Sequence, residues 1–298
     1  MKNRWLLNLA LVIAVGLLAM LAIFRPGTKT EPPGVPLTTL AVNDIQRIKL
    51  LRPQQPALVL EKSGEIWRLA APRAARVNDF HVNEFLRLAG QRVKTRFPAA
   101  PAEFEKFGLA TPFATIVLND TEIRLGATHP LNNEIYVQTG DTIALVPATL
   151  QRTASAAVEE WLSPSLLDDK TKIVAIRLPG FSLKQNEQGG WTRTPDLKDF
   201  SSDRAMRFIN EWRFARALSV EAASGRGGRE SISVTTLEDG KQRTTEFAVI
   251  ARSPELILRR LDERLDYRFP SDLTERLLEM RPDEPEKPDP SANKKSGR

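Results

Sequence analysis

Two histidines and no cysteine make up the soft-ligand inventory of this chain. Structural metal sites need Cys or His side chains grouped at short spacing. His81 has Phe85 four residues on and His129 has Asn133, so neither brings a second ligand into reach along a helix. No metal site, disulfide or thiol nucleophile is expected. The acid pairs are Asp168 with Asp169, Glu159 with Glu160, and Glu103 with Glu105. Glycoside hydrolysis needs two carboxyl groups about 5 to 9.5 Å apart across a cleft, and neighbours along a chain point apart instead. These pairs therefore read as structural, and only convergence of distant segments would change that.

Nucleophile and phosphate motifs are equally thin. Ser291 and Lys294 form an S-x-x-K spacing in a Pro-rich, charged stretch that offers nothing to orient the lysine. No G-x-S-x-G elbow occurs. Gly225-Arg226-Gly227-Gly228 lacks the last glycine of a dinucleotide fingerprint, and Gly240-Lys241 is followed by Gln242 with no phosphate-loop glycine ahead of it. No catalytic residue and no cofactor is assigned, and the chain reads as a non-enzyme.

The elements that would position any site begin with residues 5–24, an apolar run broken only by Asn8 and the Trp5 indole. As a helix it is about 30 Å long, the thickness of a bilayer's hydrocarbon core. Lys2 and Arg4 precede it, which predicts a cytoplasmic N-terminus, with the rest of the chain periplasmic. A cleavable signal peptide would end at a small-x-small site, whereas Ile23-Phe24 runs straight into Arg25-Pro26. Residues 1–25 are thus expected to be a transmembrane anchor in the inner (cytoplasmic) membrane, 26–40 a Pro-rich tether and 281–298 a disordered tail.

The basic balance, 43 Lys and Arg against 37 Asp and Glu, does not point to nucleic acid. An extracytoplasmic chain rarely meets it, and the basic residues are interleaved with acids, as in Arg259-Arg260-Leu261-Asp262-Glu263-Arg264.

Between tether and tail the pattern runs twice. Residues 44–50 and 172–178 each open with an alternating strand. Each is followed by a hairpin, with Trp67 after Ser63-Gly64 in the first and Trp191 after Gly189-Gly190 in the second. Asn78 caps a helix carrying Val82, Phe85 and Leu86, and Ser202 caps its counterpart carrying Ala205, Phe208 and Trp212. Four further strands follow each helix, and each half closes on a proline, Pro147 or Pro270, opening a short helix. The expected class is α+β: a transmembrane helix, then two tandem duplicated modules at 41–165 and 166–280, each an antiparallel sheet with a packed helix. Residues 163–170 are the expected boundary.

Phe107-Gly108-Leu109-Ala110-Thr111-Pro112, then Leu125-Gly126-Ala127, then Glu134-Ile135-Tyr136-Val137-Gln138 resemble a bacterial family, domain of unknown function 4340. The resemblance takes in Trp67 and Leu131-Asn132-Asn133 as well. It implies a single-pass membrane protein, often encoded beside subunits of gliding-motility-type ABC transporters, and it supplies no catalytic residues.

The positive candidate is a partner-binding surface: Phe104, Phe107 and Phe113 in an insertion-like stretch of the first half, with Arg226 and Arg229 in a Gly-containing loop of the second. The competing structural reading has Phe104 and Phe107 plugging the sheet, in a short helix ended by Gly108. The expected role is a membrane-anchored extracytoplasmic accessory or scaffold acting by protein contact, with an ABC-type transporter complex as the candidate partner. The alternatives are an envelope-polymer hydrolase and a lipid- or glycan-binding module.

Overall fold

Alternation builds most of this chain. In Arg47–Leu51 the side chains of Ile48 and Leu50 point inward while Arg47 and Leu51 face out, the period of a strand with one covered face. The computed structural model describes residues 2–24, 34–168, 171–198, 200–225, 227–238 and 240–280, with side chains in the first helix described at 5 and 8–20. Asp169, Arg226, Asp239, most of the expected tether and the expected tail lie outside the described residues.

In chain order the first half contains α1 (Lys2–Phe24), β1 (Val35–Pro36), β2 (Arg47–Leu51), β3 (Leu58–Ser63), β4 (Ile66–Ala71), β5 (Ala75–Arg76), α2 (Asp79–Ala89), β6 (Arg92–Val93) and β7 (Arg96–Pro98). It continues with β8 (Ala114–Leu118), β9 (Thr121–Thr128), β10 (Glu134–Thr139), β11 (Thr142–Pro147) and α3 (Thr149–Ser155). The second half contains β12 (Lys172–Arg177), β13 (Ser182–Gln185), β14 (Trp191–Thr194), α4 (Ser202–Phe214) and β15 (Ser219–Ala222). After these come β16 (Glu230–Glu238), β17 (Lys241–Ala251), β18 (Leu256–Arg260), β19 (Leu265–Phe269) and α5 (Leu273–Leu278).

These strands form three sheets: β1 with β6, a nine-stranded sheet ordered β5-β4-β3-β2-β8-β9-β10-β11-β7, and an eight-stranded sheet ordered β14-β13-β12-β16-β17-β18-β19-β15. Setting β5 aside, the two large sheets list their strands in the same order, with α2 and α4 entering at the same point of each.

The expected α+β class needs correction. The described chain is mostly β, because strands supply both large sheets while α2 and α4 are single helices laid against them. The expected transmembrane helix is corrected too: among the described residues no helix is long and apolar enough to cross a membrane.

One continuous core joins the two halves. It runs from Ile48, Leu60 and Phe85 through Trp161, Leu166 and Leu167 to Trp212, Phe247 and Tyr267. The stretch 165–167 is buried within it, so the expected module boundary is a packed strap. Helix caps follow local chemistry. The Asn78 side chain accepts from the Phe80 N–H as the spacing predicts, whereas α4 is capped one residue earlier than expected, by Ser201 accepting from the Arg204 N–H.

Candidate functional site: the junction between the two sheets

The strap pairs with both halves in turn. Asn78 N–H donates to Trp161 O at 2.8 Å and Ser163 N–H to Arg76 O at 3.0 Å. Past Pro164 the strap changes partner, taking the Ala217 N–H on Pro164 O at 2.8 Å. The end of β5 is thereby tied through residues 161–166 to the segment that leads into β15.

Beneath the strap lies a buried ionic cluster. Arg76 of β5 is almost inaccessible, with 3% of its side chain exposed, and Glu263 in the β18–β19 turn has 8%. The Arg76 Nε donates to Glu263 Oε1 at 3.0 Å, and its Nη2 donates to the Tyr267 hydroxyl at 2.6 Å. Tyr267 in turn donates to Glu263 Oε2 at 3.0 Å, closing a ring of three side chains. Asp168 from the strap approaches Arg76 at 3.6 Å and Arg68 at 3.5 Å. On the other side Arg260 donates to Asp262 at 2.8 and 3.0 Å and to the Leu166 carbonyl at 2.9 Å.

Burial and pairing set the charge states. Burial alone would lower the Arg76 pKa, but Tyr267, Glu263 and Asp168 around it hold it above its ordinary value. Burial pushes the Tyr267 phenol well up, so it stays a hydrogen-bond donor. Burial opposes ionisation of Asp262, yet the hydrogen bonds and charge of Arg260, with Arg76 behind it, bring its carboxyl below the usual range. Charges taken from water need this matching, since an unpaired one would be strongly destabilising.

A cavity of about 350 Å³ opens beside the cluster. Arg76 and Asp168 line it, Trp67 walls it, and the half-exposed Ile66 and Phe80 stand at its rim. Two of the ionisable groups in its lining are engaged, Asp168 by Arg68 and Arg76, and Arg76 by Glu263 behind it, which Tyr267 also holds. Among the described residues no three His, Asp or Glu side chains gather as metal ligands.

The sequence-predicted candidates lie elsewhere. Phe104 is buried in a satellite cluster with Ala99, Leu109 and Ile143, against which Phe97, Phe107 and Tyr136 pack. Phe107 stacks between Phe97 at 5.6 Å and Tyr136 at 4.8 Å, and Phe113 packs on the main core. Phe104 and Phe107 cover the face of β7, β11 and β10 opposite the main core, so with Phe113 they do not form an exposed patch. Arg229 is exposed and Arg226 lies outside the described residues. The two glycine motifs meet back to back: a Cβ on Gly126 would stand 2.3 Å from Phe107 O, and one on Gly108, at φ +66°, would stand 2.9 Å from Ala127 N. Their role is close backbone approach.

His81 lies in the first turn of α2. Its ring is half-buried and stacked on Trp161 at 4.9 Å, with burial lowering its pKa. His129 Nδ1 accepts the Leu131 and Asn132 N–H groups at 3.2 Å, organising its own loop. Sequence reasoning missed the ring of Arg76, Glu263 and Tyr267. The only local signal was a basic residue on a short strand after a hairpin, which has no spacing to distinguish it.

Comparison with known proteins finds one relationship. Neither the curated proteins nor the solved structures yield a match. A family model described as "Domain of unknown function (DUF4340)" matches residues 67–225. That is more than half of the 298 residues, running from Trp67 on β4 through Arg76 and the strap to just past β15. On that match the chain belongs to the DUF4340 family.

Proposed function

We propose that this protein is a non-catalytic accessory or scaffold on the extracytoplasmic side of the inner membrane, acting by protein contact rather than by turnover. The observation that carries this reading is the use made of the convergent ionisable groups. Asp168, Asp262 and Glu263 are each held by an arginine, Arg76 and Arg260 foremost, and the cluster lies in the one core shared by both sheets. Acid/base catalysis needs a group that can give or take a proton at the working pH, and matched pairs are poor at both. A fused, rigid frame instead suits presentation of surface.

α1 supports the same reading. Leu11, Val12, Leu17 and Leu18 are all more than half exposed, an apolar surface that a lipid or protein neighbour would cover. Partners at an ABC-type transporter complex are in keeping with the family resemblance. A lipid- or glycan-binding role has one observation of its own, the junction cavity with Trp67 in its wall and Phe80 at its rim.

Crosslinking in intact membranes, followed by identification of attached proteins, tests the proposal. A reproducible protein partner is expected, and amide substitutions at Glu159, Glu160 and Asp168 should leave its capture intact. A single amide change that abolished cellular function while folding and capture stayed normal would overturn the contact reading in favour of chemistry.

A further inference from the structure

The junction cavity of about 350 Å³ takes its lining from both halves of the fold: Ile66 and Trp67 from β4, Phe80 from α2, Ser163 and Ser165 from the strap, and Arg216 from the segment between α4 and β15. Small-molecule sites span about 300–1,000 Å³ and form preferentially where two bodies of a fold meet.

The polar groups around it fall into two sets. Arg76 and Asp168 belong to the buried cluster, and Asn78 accepts the Phe80 N–H at 3.2 Å. Asp79 also has a partner of its own. The Ser163 and Ser165 hydroxyls, the Trp67 Nε1–H, the Arg216 guanidinium and the Glu65 carboxylate have none among the described residues.

Ser165 is the telling member of this second set, because it lines the cavity while only 7% exposed. A hydroxyl so far from bulk water costs free energy unless something in the cavity bonds it. Backbone pairing also fixes its neighbour. Ser165 and Arg216 form an antiparallel bridge, which sets their side chains on one face with Cβ atoms about 5 Å apart. Ser163, two residues back, lines the same cavity.

The unengaged charges cancel, one arginine against one glutamate, so they favour no net charge in an occupant. Beside these groups lies apolar surface that is only half covered, Ile66 at 52% and Phe80 at 53% exposed. A pyranose matches both features. Its hydroxyls donate and accept, and its C–H face is flat and apolar enough to rest on an aromatic ring. An inorganic anion would leave Ile66 and Phe80 uncovered, and an acyl chain would leave Ser163, Ser165 and Trp67 unbonded.

We infer that the junction cavity binds a neutral saccharide, whose hydroxyls are bonded by the Ser165 hydroxyl, the Trp67 Nε1–H and Arg216 and whose C–H face lies against Phe80. This goes beyond the contact reading and gives the glycan alternative a site and a ligand class.

The test is calorimetric titration of the full chain with cellobiose and with N,N′-diacetylchitobiose, both neutral disaccharides, using inorganic phosphate and alanyl-alanine as comparisons. At least one disaccharide is expected to bind. Ser165→Ala should weaken it about fivefold and Arg216→Ala about tenfold, the losses typical of a neutral and of a charged donor. Arg216 is exposed, so its replacement is expected to keep the fold, which circular dichroism checks. Failure of both disaccharides to bind overturns the inference, as does binding that both substitutions leave unchanged. Phosphate or alanyl-alanine binding as tightly as the better disaccharide, and weakened by the same substitutions, overturns it too. The titration does not depend on capture of a protein partner, so this inference and the contact reading fail separately.

Discussion

Arg76 and Glu263 stand 187 residues apart in the chain, yet the backbone N–H and the Nε of Arg76 both donate to the same carboxylate oxygen, at 3.1 and 3.0 Å. The pair joins the edge of one sheet to a turn of the other. Removing one member leaves a buried charge without its match, so Glu263→Ala is expected to lower stability by about 3–5 kcal/mol in urea unfolding. Replacing both, Arg76→Met with Glu263→Leu, should recover roughly half of that loss or more, since apolar groups of similar volume tolerate the same burial. A Glu263→Ala variant as stable as the parent would show that the ring does not hold the sheets together.

The glycine motifs make a steric prediction. Gly126→Ala drives a methyl to within 2.3 Å of Phe107 O, where backbone has to move. A loss of about 1–3 kcal/mol is expected in thermal unfolding, as for other overpacked sites. Gly64→Ala differs because its Cβ would meet nothing within 4 Å, so any loss there comes from its φ of +60° alone.

His81 supplies a pH dependence. Burial holds its folded pKa below the unfolded value, so the unfolded chain binds the extra proton first as pH falls. Its contribution is therefore fully present at pH above about 7.5 and is lost as pH drops through the ordinary histidine range toward the folded pKa. The flanking charges pull in both directions: Glu160 and Glu84 raise the value and Arg152 lowers it. Urea midpoints between about pH 7.5 and 5.5 should fall less in His81→Phe, which keeps an aromatic ring against Trp161. An unchanged slope in that variant would exclude His81 as the source.

Capping separates two adjacent serines. Ser201 accepts the Arg204 N–H at 3.2 Å, so Ser201→Ala should destabilise by about 1 kcal/mol. Ser202→Ala, inside the first turn of α4, should be nearly neutral or slightly favourable. The reverse ranking in denaturant titration would move the helix start.

What sequence alone determined was local. The strands at 47–51, 58–63 and 66–71 and their second-half counterparts were legible because a half-covered strand must alternate, and the Asn78 cap because a short side-chain oxygen ahead of a helical pattern has few other uses. The family was legible in the glycine motifs around residues 107–112 and 125–127, although not their purpose, which appears only when Phe107 O and Gly126 meet. Sequence misjudged what depends on summation over the whole molecule. Two amphipathic helices suggested an α+β balance, while the strands, each short, add up to sheets of nine and eight. Tertiary structure alone decided the junction. No local spacing announces that Arg76, Glu263 and Tyr267 will share one buried ring, because loop closure over such separations is governed by packing of the two sheets and not by any residue's own preference. The same packing placed Leu166 and Leu167, within the expected boundary segment, in the core shared by both sheets.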